Sequence, residues 1–258
     1  MDKHINIQET LDWYMVAGVT EILGDNPSLA VETPLPTAPA DKMPLTQTSI
    51  STVSTSAVLK NAKEACQKAN SLDELREIMV HFDGCNLKNT AASTVFGDGN
   101  PHTKVMLIGE APGADEDRMG KPFVGRCGKL LNKMLAAAGL NREDCYITNV
   151  LPWRPPGNRP PTDDEIAICL PFLKRQIELI CPDFVLLLGG IALKSVMDCN
   201  DSISRTRGKW LSYSLSQGKD LYVLATYHPS YLLRSSNQKA KVWTDLLRFK
   251  KKLNEINQ

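Results

Sequence analysis

"VMLIGEAPGADED", residues 105–117, is the stretch on which the reading of this chain turns. An apolar run closes on Gly109, an acid follows at Glu110, and the turn beyond carries Asp115, Glu116 and Asp117. A short apolar run bounded by turn residues is the pattern of a buried parallel strand. The loop past its carboxyl end is where open α/β sheets gather their ligand chemistry. This loop offers carboxylates and lacks the lysine that a phosphate-binding loop would carry.

Working outward, apolar runs at 104–109, 145–150, 184–189 and 221–226 read as strands. Between them, 126–138 reads as a helix stopped by Gly139. A second helix at 163–180 opens with a capping box from Thr162 to Glu165 and carries Ile166, Leu170, Leu173, Ile177 and Ile180 on one face. Pro171 is expected to kink it. Strands alternating with helices imply a parallel sheet covered on both faces. Upstream, short helices are expected near 56–69 and 72–81, the second capped by Ser71 with Glu74 completing a box.

Residues 1–24 contain an amphipathic helix over 5–23, and a Pro/Ser/Thr-rich linker follows over 25–55. The remaining 56–258 form the main domain. The 258 residues are 42% hydrophobic and 23% charged, a globular composition with net charge +1. No global field therefore draws the chain to polyanions or membranes, and any such binding falls to local patches. "RTRGKW" (205–210) and "KAKVWTDLLRFKKK" (239–252) are basic stretches suited to phosphates. No apolar run approaches the ~18–20 residues of a membrane span, and the N-terminus lacks a signal peptide's apolar core. Seven scattered cysteines, never in C-x-x-C, point to reduced thiols and a cytoplasmic setting.

Residues just past the strands are the informative ones: Glu110, Asn149 and His228, with Phe123 on the loop after the first strand. An acid, an amide and a histidine at neighbouring strand ends converge on one pocket with hydrogen-bonding options for a heteroaromatic ring. "GGIALKS" lacks the glycine that a Walker A loop places before its lysine, and "GDGNPH" fails the dinucleotide spacing. No G-x-S-x-G elbow is present, and the four histidines are too dispersed for a zinc site.

"GEAPGADEDRMGKPFVGRCGKLL", "YITNVLPWRPPGNR" and "HPSYLLR" together resemble the motifs of the uracil-DNA glycosylase superfamily, closest to family 4, over about residues 85–243. The resemblance implies a three-layer α/β/α sandwich around a four-stranded parallel sheet, and hydrolysis of the N-glycosidic bond of deoxyuridine in DNA. It implies Glu110 beside the scissile bond and His228 as the second motif's histidine. Ala111 supplies backbone to the pocket, and Glu116 lies near the base's C5 edge. Phe123 is the stacking ring and Asn149 the base-reading amide. Ser230, Tyr231, Leu232 and Arg234 belong to the loop that presses into DNA, with Tyr231 and Leu232 as wedge-like residues.

One departure matters. The family pattern holds a four-iron cluster on four cysteines; here Cys85 and Cys169 occupy two of those positions while Phe82 and Trp153 occupy the others. Two thiolates cannot supply Cys₄ ligation, so no cluster and no other cofactor is expected. The reading is a monofunctional, monomeric base-excision enzyme of the bacterial cytosol, acting on single- or double-stranded DNA by base flipping. The N-terminal helix is left free to dock on the body or on a protein partner. Rival readings are a glycosylase for hypoxanthine or xanthine, and a module that grips uracil or abasic DNA without turnover.

Overall fold

The computed structural model describes residues 55–256. The helix expected at 5–23 and the linker at 25–55, except for Thr55, lie outside the described residues. Two helices open the structure, α1 (Thr55–Lys68) and α2 (Leu72–His81). Ser71 caps α2 by accepting from Glu74 N at 3.2 Å, and Glu74 reaches back to the amide of Asn70 rather than to that of Ser71.

The sheet has six strands in the order β1-β3-β2-β4-β6-β5. Its centre is the expected parallel set: β2 (Val105–Gly109), β3 (Cys145–Asn149), β4 (Phe184–Leu188) and β6 (Asp220–Thr226). Two antiparallel edges were not anticipated: β1 (Asp98–Gly99) on β3, and β5 (Trp210–Ser214) on β6. β2, β3 and β4 are buried at every residue, which is why they read as continuous apolar runs rather than alternating ones.

Alternate residues of these strands feed two cores. Met106, Ile108, Val185, Leu187, Val223 and Ala225 pack under α1, α2, α5 (Asp163–Ile180) and α6 (Gly190–Met197). Leu107, Ile147, Leu186, Leu188 and Leu224 face α4 (Arg126–Ala137), α8 (Pro229–Arg234) and α9 (Lys239–Ile256). Among the described residues there are two further short α-helices, α3 (Ala114–Met119) and α7 (Ile203–Thr206). The architecture is thus a three-layer α/β/α sandwich.

α5 begins with the expected reciprocal box. Glu165 N donates to Thr162 Oγ1 at 3.2 Å, and Thr162 N donates to Glu165 Oε2 at 2.8 Å. It runs as one helix through Pro171. Gly139, with φ of 77°, takes the left-handed position after α4 that a side chain disfavours.

The "RTRGKW" stretch differs from its expected role. Arg207 is not a free phosphate contact: its guanidinium grips the buried Asp245 at 2.7 and 3.0 Å, and Thr226 Oγ1 donates to the same carboxylate at 2.6 Å. Burial pushes the Asp245 carboxyl upward, against the hydrogen bond from Thr226 and the charge of Arg207. This network anchors the end of β6 just before His228.

Candidate active site

At the carboxyl ends of β2, β3 and β6 the chain leaves a pocket of about 530 Å³. Glu110, Ala111, Glu116, Phe123, Asn149, His228, Ser230 and Arg234 all line it. The lining also includes the loop carrying Pro155, Asn158, Arg159 and Pro160, whose role as a wall the sequence reading did not identify. That loop is held by Arg159, which makes a two-pronged ion pair with Glu165 at 2.5 and 2.9 Å.

Asn149 ends β3 and is 5% exposed, yet its Oδ1 is buried without a hydrogen-bond partner among the described residues. An orphaned acceptor in a pocket wall costs free energy until a donor meets it. Gly109 makes the arrangement possible. A Cβ there would stand 2.4 Å from Asn149 Oδ1 and 2.5 Å from Phe123 Cζ. The glycine at the end of the opening stretch therefore gives room to both groups.

Phe123 has φ of 52°, a left-handed backbone that a bulky residue adopts only under constraint. Its ring lies 5.5 Å from that of His228. Glu116 stands at the loop's base, where Oε1 accepts from the amides of Val124 (3.0 Å) and Gly125 (2.9 Å) and Oε2 accepts from Gly113 N (3.1 Å). It lines the pocket and braces the two loops at once. Asp117, one of the acids of the opening stretch, is buried and accepts from the amides of Ala92 and Ser93 at 2.9 and 3.2 Å.

His228 caps α8. Its Nδ1 accepts from Ser230 N at 3.1 Å and lies 2.8 Å from Ser230 Oγ. An Nδ1 that accepts from a backbone N–H carries no proton, so the neutral ring bears its hydrogen on Nε2. Burial, helped by the charge of Arg234, lowers the His228 pKa to about 4. At neutral pH the ring is an uncharged donor. Burial raises the Glu110 carboxyl above its ordinary value, while Arg234 opposes the shift.

Within "HPSYLLR" the expected wedge needs correction. Leu232 is 0% exposed and belongs to the core beneath α8. Because His228 caps the helix, Leu232 falls on its inner face one turn later. Leu233 is the apolar residue at the surface, 42% exposed. Tyr231 is half-buried against Tyr227 with ring centroids 4.9 Å apart. Ser230 is engaged with His228, and Arg234 is exposed at the pocket rim.

The uracil DNA glycosylase superfamily model matches residues 96–247. The chain belongs to that superfamily. Among its relatives, a type-4 uracil-DNA glycosylase of Archaeoglobus fulgidus is 44% identical over 168 residues, covering 63% of this chain and 83% of the relative. Another type-4 enzyme, from Thermotoga maritima, is 44% identical over 177 residues, covering 66% and 88%. A type-5 enzyme of Pyrobaculum aerophilum is 30% identical over 149 residues, 52% of this chain and 64% of its own length.

Against this family background the cysteine positions stand out. Cys85 and Cys169 are buried with their sulfurs 4.0 Å apart. The hydrogen bond to Cys85, with burial adding to it, pushes the Cys169 thiol upward. Phe82 packs edge-on against Phe172 at 5.1 Å. Trp153 is wholly buried, and its Nε1 donates to Thr94 Oγ1 at 3.0 Å. All four belong to or pack against the same core. Among the described residues no group of three or more histidines, cysteines and acids is placed to hold a metal.

Proposed function

We propose that this protein is a monofunctional uracil-DNA glycosylase that initiates base-excision repair. The observation that carries the reading is the orphaned Oδ1 of Asn149, in a pocket walled by Phe123 and His228. Uracil presents a donor at N3–H and an acceptor at O4, and the Asn149 amide offers the complementary acceptor and donor. Cytosine presents the reverse pair and would leave the buried oxygen facing a lone pair. One N–H donor facing the amide oxygen, or none, separates acceptance from rejection, and each unmade bond costs on the order of 1–3 kcal/mol.

The target nucleotide leaves the stack at a cost of a few kcal/mol, least when mispaired or single-stranded. Phe123 then offers its face to the ring. As C1′–N1 lengthens, positive charge grows on the sugar and negative charge on the base. The Glu110 carboxylate faces the first charge and orients the attacking water. The Nε2–H of His228 faces the second at uracil O2, a neutral donor that stabilises the leaving anion by hydrogen bonding without transferring its proton. Water oxygen bonds to C1′, its proton passes toward Glu110, and the base departs with the electron pair of the broken bond, to be protonated at nitrogen. Among the described residues the pocket lining includes no lysine, so no Schiff base is expected and the strand is left intact at the abasic sugar.

Two thiols beside two aromatics do not fit a four-iron cluster. We take Phe82 and Trp153 to stand in that volume as core, and no step of the reaction is routed through a cluster. The catalytic unit is taken as residues 56–258. The test is excision from oligonucleotides carrying one uracil, hypoxanthine or xanthine. Uracil release in wild type, lost in Asn149→Ala, supports the reading. Release of the purines alone shifts it to another damaged base, and binding without product in any variant shifts it to a binding module.

A further inference from the structure

We propose that Arg142 is a positioning residue for the base-stacking ring, acting through the peptide carbonyls that flank Phe123. This rests on the reading of Phe123 as the ring that receives the base. Arg142 Nη2 donates to Pro122 O at 2.6 Å, and Nη1 donates to Phe123 O at 3.0 Å. The guanidinium also grips Asp98 Oδ2 through Nε at 3.3 Å and Nη2 at 3.0 Å. Asp98 is held in turn by β1, where it pairs with Ile147 of β3, and by Lys121 at 3.2 Å. Neither member of the Arg142–Asp98 pair is more than a quarter exposed.

The geometry explains how Phe123 keeps a backbone that its side chain disfavours. Arg142 draws two successive carbonyls to one side, while Glu116 holds the next two amides, those of Val124 and Gly125, on the other. α4 closes the clamp from behind: a Cβ at Gly128 would stand 1.7 Å from Phe123 O, so that glycine lets the helix backbone meet the loop. Arg142, Glu116 and α4 thus fix from three sides the plane of the ring that meets the base. A lysine at 142 would keep the charge but could not hold two carbonyls and a carboxylate with one rigid fork.

The experiment is a double-mutant cycle on the full chain. Single-turnover excision and inhibition by free uracil are measured for Arg142→Lys, and for the same change in a Phe123→Ala background. Asp98→Asn runs in parallel and carries the cycle should Arg142→Lys not fold. The expected result is a loss of about tenfold in rate and in free-uracil inhibition, the scale of a misaligned base–aromatic stack. Affinity for uracil-free DNA is expected to stay unchanged, and the effect to vanish once Phe123 is alanine. A general packing role would lower the rate equally in both backgrounds, and that result overturns the proposal. If wild type excises no uracil, the functional reading fails instead. Amide exchange at residues 121–125 then decides: faster exchange confined to that loop in Arg142→Lys supports the positioning role, and unchanged exchange there overturns it.

Discussion

Gly109 and His228 carry the sharpest predictions at the scale of single residues. A Cβ at 109 would collide with both Asn149 Oδ1 and Phe123 Cζ. Gly109→Ala is therefore expected to cut uracil excision by at least about 100-fold, with overpacking costing about 1–3 kcal/mol of stability in chemical denaturation. The two titrating groups separate along the pH axis. Glu110 must be ionised to face a cationic sugar, and its pKa is raised by burial. The acid limb of kcat/KM should then lie above the usual carboxylate range and disappear in Glu110→Gln, as a pH–rate profile would record. His228, at about 4, titrates below the raised Glu110 carboxyl. Its folded pKa is depressed below the unfolded value, so the folded state binds fewer protons between about 4 and 6.5, and stability falls as pH drops through that window. Imidazole nitrogen NMR showing an imidazolium at pH 6 would contradict the assigned neutral tautomer.

At the scale of elements, α8 shows what periodicity could and could not deliver. Glu110, Asn149 and His228 were legible because a strand's end is readable from an apolar run and the residue that breaks it. The phase of α8 was not, because six residues starting at a Pro hold too little pattern to say which leucine turns inward. The cap on His228 decides it, burying Leu232 and presenting Leu233. Leu232→Ala is expected to cost about 2–5 kcal/mol by thermal or urea unfolding. Leu233→Ala should leave stability nearly unchanged and slow excision from duplex more than from single-stranded DNA, since only the duplex has a stack to be opened. Equal slowing on both substrates would remove Leu233 from that role. The edge strands escaped notice for a related reason: β1 is two residues long, and β5 is partly exposed, with Ser212 and Ser214 interrupting its apolar residues. With β1 unread, the meeting of Asp98 and Arg142 across 44 positions had no sequence signal at all.

For the molecule as a whole, one face of the sheet bears on the proposed lack of a cluster and the carboxyl edge on the proposed chemistry. Phe82 and Trp153 pack with Cys85 and Cys169 in the core beneath α1, α2 and α5, where the family pattern would hold a cluster. Metal analysis of the purified protein is expected to find no stoichiometric iron, and chelators should leave its melting temperature unmoved. Stoichiometric iron with visible cluster absorbance would overturn that account. The motif resemblance made this substitution legible from sequence, because aromatic residues stand at named ligand positions; the packing that accommodates them needed the structure. The central claim concerns the other end of the strands, where Glu110 and His228 divide the charge of a breaking glycosidic bond. The measurement that tests it most directly is single-turnover release of uracil from a labelled oligonucleotide by wild type, Glu110→Ala and His228→Ala. The account predicts an alkali-labile product from wild type and a loss of about 100- to 1,000-fold or more in each variant, with DNA affinity kept. Release at wild-type rate by either variant, or no release by wild type, would contradict it.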